Sequence, residues 1–252
     1  MFERLKEILH RVFKNETLRK SLRKYLRGDG IEIGALHRPL PLDGSRITRI
    51  RYVDRMSPED LRKQYPELHR EKLVPVDVID DGERLSTFAD GSLDFIIANH
   101  FIEHARDPIG TIRNWLAKLR PGGVVYLAAP DARYTFDSGR PLTSLDHLRG
   151  DYGADEARRS ELDHEHYLEY ARLVDKKEGD EIEAHARHLS GIDYSIHFHT
   201  FDSRSFRDLL DYVRDELHLP FEIRDFADTP PKGMEFLFIL SKTASGAGKY
   251  SS

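Results

Sequence analysis

Seven histidines crowd one stretch of this 252-residue chain: His147, His164, His166, His185, His188, His197 and His199. Asp131, Asp137, Asp146, Asp151, Asp163, Arg133 and Arg140 stand among them. Imidazole ordinarily titrates near neutrality, so the segment holds groups able to take a proton from a weakly acidic partner. His147, in SLDHLRGDYG, is the first choice for such a base, with Asp146 or Asp151 available to orient it. HEH (164–166) and HFH (197–199) are its rivals, which brings in His166 and His199. In an extended strand residues i and i+2 share a face, so HFH can present both rings together and, with Asp131, hold a divalent metal. Magnesium prefers oxygen ligands, and no compact carboxylate cluster with recognisable spacing accompanies these rings, so the metal is left unassigned. For any single histidine the plain alternative is a hydrogen bond to loop backbone or a solvated ring.

A second set of chemistry-bearing residues lies upstream, at strand ends. EIGALHRPLPLDG (32–44) opens like a nucleotide-binding turn and then loses its glycines. Gly34 and Ala35 are small enough for a ligand to approach the backbone. Asp54 ends the next apolar run, 54 − 34 = 20 residues after Gly34. That is the distance at which an acidic residue hydrogen-bonds ribose hydroxyls in dinucleotide folds. The alternative for Asp54 is a charge at the start of the following helix. Arg55 beside it would border an adenine. Asn99 and His100 close the fourth apolar run, and His104 follows one helical turn later.

The elements that must position these residues follow from periodicity. IEIGAL, ITRIRYVDR (47–55), LVPVDVI (73–79), LDFIIANH (93–100) and VVYLAAPD (124–131) read as strands. Helical patterns separate them at SPEDLRKQYPEL and DPIGTIRNWLAKL. Short apolar strands alternating with helices predict a parallel sheet with right-handed crossovers. In such a sheet the ligand sits beyond the carboxyl ends of the strands. LRPGG (119–123) predicts a helix stop and a tight turn into the fifth strand. The alternation breaks at about 132–200, a long polar insertion whose aromatics argue that it folds. It resumes with a helix that Asp202 or Ser203 would cap. FEIRDFA (221–227) and EFLFILSK (235–242) follow, joined by a connection too short for a parallel crossover. Pro39 and Pro41 predict that a helix after the first strand is shortened or displaced.

Composition sets the remaining bounds. A net charge of −5 gives no whole-protein argument for nucleic acid. Without cysteine, disulfides, zinc–thiolate sites and cysteine catalysis are excluded. No apolar run is long enough to span a bilayer, and the charged N-terminus does not read as a signal peptide, so a soluble cytoplasmic protein is expected. Helices expected at 2–14 and 17–27 are basic and amphipathic. They read as a cap on the domain, with peripheral membrane contact as the alternative.

The stretch FADGSLDFIIANHFIEHARDPIGTIRNWLAKLRPGGVVYLAAPD (88–131) resembles the class I S-adenosylmethionine-dependent methyltransferases labelled type 11. The likeness covers most of 30–131 and, more loosely, 201–242. It implies a Rossmann-like α/β fold with a mostly parallel seven-stranded sheet and an antiparallel last strand. The organisation expected is an N-terminal helical cap (1–29), a methyltransferase domain (30–242) with a substrate lid inserted at about 132–200, and a disordered tail (243–252). It also implies S-adenosylmethionine as cofactor and S-adenosylhomocysteine as product. Arg38 would pair with the cofactor carboxylate, and Glu32 would orient its ammonium or stand behind it. Asp81, with Asp80 as the neighbouring alternative and Gly82 beside it, would meet the adenine amino group. Asn99, His100 and His104 would face the methionine portion. PDARYTFDSGRPLTSLDHLRGDYG (130–153), with HEHYLEY and IHFHTF, is similar to a branch linked to sugar and polysaccharide O-methylation. That likeness implies a carbohydrate acceptor; a hydroxyl is a weak acid and calls for a base, which a histidine suits, and Asp131, Arg133, Asp137, Arg140 and His197 suit polyhydroxyl recognition. A magnesium requirement and an oligomer are left open. The alternatives are methylation of a quinone or polyketide, and a cofactor-binding protein without turnover.

Overall fold

The computed structural model describes residues 19–20, 22–42, 46–231 and 233–244. The helix expected at 2–14, residues 17, 18 and 21 of that expected at 17–27, and the tail beyond 244 lie outside the described residues; in the described part of the second, Arg23–Tyr25 form a single 3-10 turn and a strand begins at Gly28.

The apolar runs build one seven-stranded sheet. Its strands are β1 (Gly28–Ile33), β2 (Ile47–Asp54), β3 (Val78–Ile79), β4 (Leu93–Asn99), β5 (Leu119–Pro130), β6 (Phe221–Ala227) and β7 (Glu235–Lys242). Their order is β3-β2-β1-β4-β5-β7-β6. β7 runs antiparallel to β5 and β6, and the pairs from β3 to β5 are parallel. This is the mostly parallel sheet with antiparallel last strand that the sequence predicts. Reversal of strand order between β1 and β4 places a crevice beyond their carboxyl ends.

β4 is apolar on both faces because helices cover one face and the N-terminal segment the other. Phe95 and Ile97 face Leu22, Leu26 and Leu40, while Ile96 and Ala98 face Ile109, Trp115, Phe206 and Leu209. Burying each such side chain contributes on the order of 1.5–3 kcal/mol. Gly30 in β1 permits this packing, since a Cβ there would lie 2.4 Å from the Phe95 ring. Among the described residues no helix joins β1 to β2, in keeping with Pro39 and Pro41. Leu22, Leu26 and Leu40 cover the sheet where that helix would lie.

The helices are α1 (Pro58–Gln64), α2 (Pro108–Lys118), α3 (Leu145–Tyr152), α4 (Glu156–Leu173), α5 (Asp180–Gly191) and α6 (Ser203–Asp215). Ser57, Asp107, Ser144, Asp155 and Asp202 cap the first four and the last by accepting backbone N–H groups. The cap of α6 is therefore Asp202 and not Ser203. Two boundaries differ from expectation. Only Val78 and Ile79 of the third run pair as a strand, because Pro75 lacks a donor and Val74 N–H turns away to the Leu36 carbonyl at 2.7 Å. β5 begins at Leu119, so LRPGG enters the strand, with a register shift opposite Leu93 and Phe95 and a positive φ at Gly122.

Residues between β5 and α6 carry α3, α4 and α5. Tyr167, Tyr170, Ala171, Ala186, Leu189, Ile196 and Phe198 form an apolar cluster of their own there. This insertion rests on the carboxyl edge of the sheet.

Candidate functional site

Each strand end contributes a polar group to that edge. β1 turns at Gly34, whose φ is +62°, and a Cβ there would meet only Phe101 at 3.9 Å. The backbone is thus open to a ligand at this point. Leu36 follows at a φ of +50°, a conformation rare for a branched side chain. Glu32 is 1% exposed. Its Oε1 accepts Leu40 N–H at 2.8 Å and Asn99 Nδ2 at 3.4 Å, while Oε2 has no partner. Burial pushes its carboxyl up to about 7 against the pull of the Leu40 and Asn99 hydrogen bonds. Asn99 Oδ1 is likewise buried and unpartnered. Two buried, unpartnered acceptors on hydrogen-bonded neighbours suit an ammonium group, which is the fit a methionine portion requires. Ala35 and Arg38 stand in the turn, where Arg38 Nε donates to His37 Nε2 at 2.8 Å.

Asp54 ends β2 opposite Ile79 of β3. Its Oδ1 accepts Arg55 N–H at 2.7 Å, and burial raises its carboxyl to about 6. Ile79 is 58% exposed, an apolar surface beside Asp54 that strand periodicity alone did not single out. A narrow cleft runs here between Ala35, Leu36, Asp54, Leu61 and Val74. A larger cavity lies at the opposite, amino edge of the sheet among Lys24, Tyr25, Arg46 and Arg224, away from these strand ends. Asp81 is exposed, accepts Glu83 N–H and pairs with Arg84, whereas Asp80 holds Thr87. Gly82 serves packing: a Cβ would lie 2.6 Å from the Phe101 ring, and its carbonyl accepts Trp115 Nε1.

β4 delivers a denser group. His100 has a φ of +51°, a strained setting for a side chain at a strand end. Its Nε2 meets Glu235 Oε2 at 2.7 Å, and Arg19 grips the same carboxylate through Nε at 2.7 Å and Nη2 at 2.5 Å. Glu235 and Arg19 were not singled out from sequence. Arg19 counted there only as part of a basic face. Glu103 is 1% exposed with neither carboxyl oxygen hydrogen-bonded, and burial raises it to about 7. Its Oε1 lies 3.8 Å from His100 Nδ1, 3.9 Å from His104 Nε2 and 4.0 Å from His197 Nε2. His104 Nδ1 is held by the Ile196 carbonyl and Ser195 Oγ, and burial depresses its imidazole to about 3. His197 Nδ1 meets Asp137 Oδ2 at 2.6 Å. Asp137 is itself paired with Arg140, and its contacts with His197 and Arg140 hold its carboxyl below the usual range despite burial. This is a carboxylate-oriented imidazole whose second nitrogen faces a buried glutamate. Glu103, His104 and His197 also present ligand atoms close enough to share a divalent cation.

Several expected placements change. Asp146 is 90% exposed and pairs with Arg149, so the carboxylate near His147 is Asp151 at 3.5 Å. His147, His166 and His199 gather in a separate group around Asp151. HFH therefore splits between two clusters. It makes no metal set with Asp131, which is buried and held by Arg133 and Thr229. Arg140 is equally committed, donating to Asp137, Glu169 and the His197 and Phe198 carbonyls, so it builds the pocket wall. Arg55 reaches the insertion instead of facing a ligand. It and Arg106 both bind Asp193, and Arg55 also donates to Tyr65.

A family model described as a methyltransferase domain matches residues 2–212. No curated protein matches the chain. Among solved structures it is similar to the complex of the Haloferax volcanii Trm112 methyltransferase activator with a methyltransferase, at 13% identity over 95% of this chain and 93% of that one, TM-score 0.51. A SAM-dependent methyltransferase from Methanosarcina mazei is 15% identical, with 88% and 97% of the two chains covered and a TM-score of 0.42. The CurJ carbon methyltransferase is 14% identical at a TM-score of 0.44, covering 93% of this chain. The chain spans only 54% of its length. At these identities the likeness is one of fold.

Proposed function

The chain belongs to the methyltransferase domain family, and from that premise we propose that it methylates a hydroxyl of a sugar or oligosaccharide with S-adenosylmethionine as donor. When bound, the cofactor supplies an electrophilic methyl group. The protein must hold it, align the acceptor oxygen and remove that oxygen's proton. Glu32 and Asn99 offer acceptors to an ammonium, and Asp54 with exposed Ile79 offers a carboxylate and an apolar face to a nucleoside.

His197 is the general base in this reading. Asp137 holds its Nδ1–H, leaving Nε2 to accept the hydroxyl proton, and Asp137 then stabilises the imidazolium. Arg140 fixes Asp137 from behind and takes no part in proton transfer. The observation that carries the proposal is the Asp137–His197 contact of 2.6 Å with Nε2 turned toward Glu103 at the carboxyl edge of β4. A wall of His100, Glu103, His104, Asp137 and His197 supports a polyhydroxyl acceptor over an aromatic quinone or polyketide.

Transfer of labelled methyl to a panel of mono- and oligosaccharides tests the reading. His197→Gln should lower kcat by about 10²–10⁴-fold with cofactor affinity retained. Near-normal turnover in that variant, or methylation confined to aromatic acceptors, would overturn it. A second reading, favoured by the unpartnered Glu103, puts a divalent cation on Glu103, His104 and His197. Turnover abolished by a chelator and restored by manganese would select it.

A further inference from the structure

The second histidine group lies outside the site just described. His147 and Asp151 are one turn apart on α3, His166 projects from α4, and His199 comes from the extended segment before α6. His147 Nε2 lies 3.2 Å from His166 Nε2 and 3.5 Å from Asp151 Oδ2, and His199 Nε2 lies 3.7 Å from the same oxygen. One ligand atom from each of the four falls within 4.8 Å of all the others. Tetrahedral zinc with bonds of 2.0–2.1 Å sets its ligand atoms roughly 3.4 Å apart. The three short separations bracket that value.

The group is also electrically incomplete. His199 is fully buried, and neither ring nitrogen has a hydrogen-bond partner. Asp151 is 1% exposed, and its Oδ2 has none either. Burying such atoms unsatisfied is costly, and the 3.2 Å approach of His147 Nε2 to His166 Nε2, which an N–H···N bond accounts for, is also a spacing at which two ligand atoms share one cation. The wider surroundings do not supply that cation's charge. Arg106 binds Asp163 and Asp193, Arg140 binds Asp137 and Glu169, and Arg159 Nη2 donates to the Asp151 carbonyl, not its carboxylate. His147, 36% exposed, leaves a route from solvent.

We propose that His147, Asp151, His166 and His199 form a zinc-type transition-metal site that ties together the three chain segments of the insertion. Three imidazoles and one carboxylate are the borderline donors that zinc accepts and magnesium does not favour. With four protein ligands the site is closed, so its role is to hold α3, α4 and the 192–202 segment in register, which in turn fixes His197. The proposal does not depend on the nature of the methyl acceptor.

The test uses the full chain, stripped with chelator and reloaded with zinc or with Co2+ as a spectroscopic probe. About one equivalent of metal per chain, a four-coordinate Co2+ visible spectrum and a rise in melting temperature on loading are expected. His147→Gln, on the exposed side, and Asp151→Asn should weaken zinc affinity by about 100-fold or more while circular dichroism shows a folded chain. Should Asp151→Asn fail to fold, His147→Gln decides the matter alone. Absence of stoichiometric zinc in folded protein would overturn the proposal. So would binding lost in Glu103→Gln but kept in His147→Gln, which would locate the metal at the other cluster.

Discussion

Replacing Glu32 with glutamine should stabilise the protein at alkaline pH and leave it unchanged in acid. Glu32 is almost wholly buried, and its carboxyl is raised from 4.5 to about 7, chiefly by loss of solvent. The folded chain therefore keeps a proton that the unfolded chain has released between these values. Stability from the protonated form is complete below about pH 4.5 and is lost as pH rises through about 7. A shift of about 2.5 units at 1.36 kcal/mol per unit gives roughly 3 kcal/mol. Glutamine keeps an acceptor for Leu40 N–H and removes the charge. Urea unfolding at several pH values would show the advantage of Glu32→Gln opening between pH 4.5 and 7 and levelling near 3 kcal/mol above it. An advantage that is constant with pH would refute the reasoning. If the carboxylate is kept for a cofactor ammonium, the stabilised variant should bind S-adenosylmethionine more weakly in calorimetry.

Asp54→Asn should weaken cofactor binding by about tenfold or more, measured by calorimetry, with the melting temperature little reduced. Unchanged affinity would remove Asp54 from the ribose. Asp193→Ala breaks the contacts to Arg55 and Arg106, which are partly exposed and worth about 0.2–1 kcal/mol each. Global stability should barely move, while hydrogen exchange around residues 180–195 rises. Gly82→Ala forces a methyl against Phe101 and Ile33 at 2.6–2.7 Å. It should lower stability by about 1–3 kcal/mol in denaturant titrations.

The sheet was legible because β4, β5 and β7 each carry an uninterrupted apolar run, at 95–98, 124–129 and 236–240, and the capping residues Ser57, Asp107 and Asp202 sit where chemistry requires them. The third strand was overestimated because Val74 looks like a strand residue but spends its N–H on the β1 turn. Strand-end residues were readable for the same reason as the strands. Partners brought in from afar were not. Spacing could not show that Asp137 would hold His197 60 positions later, or that Asp146 would face solvent while Asp151 turned inward on the same helix. HFH was recognised as a pair, but the two rings serve different clusters because α4 packs against Phe198 between them. Arg19 carried no signal at all, since a basic helix face gives no hint of which arginine turns into the core.

The Arg19–Glu235–His100 chain bears on how the protein can be shortened. A chain cut back to begin at Gly28 would keep every strand of the sheet. It would also leave Glu235 buried without the arginine that grips it. Breaking a buried pair by removing one partner destabilises by about 3–5 kcal/mol, a large share of a typical domain's margin. His100 would face that carboxylate alone, and its strained backbone would lose its brace. Residues ahead of β1 thus brace the carboxyl edge of the sheet, and trimming them for crystallisation or display would unpair a buried carboxylate there.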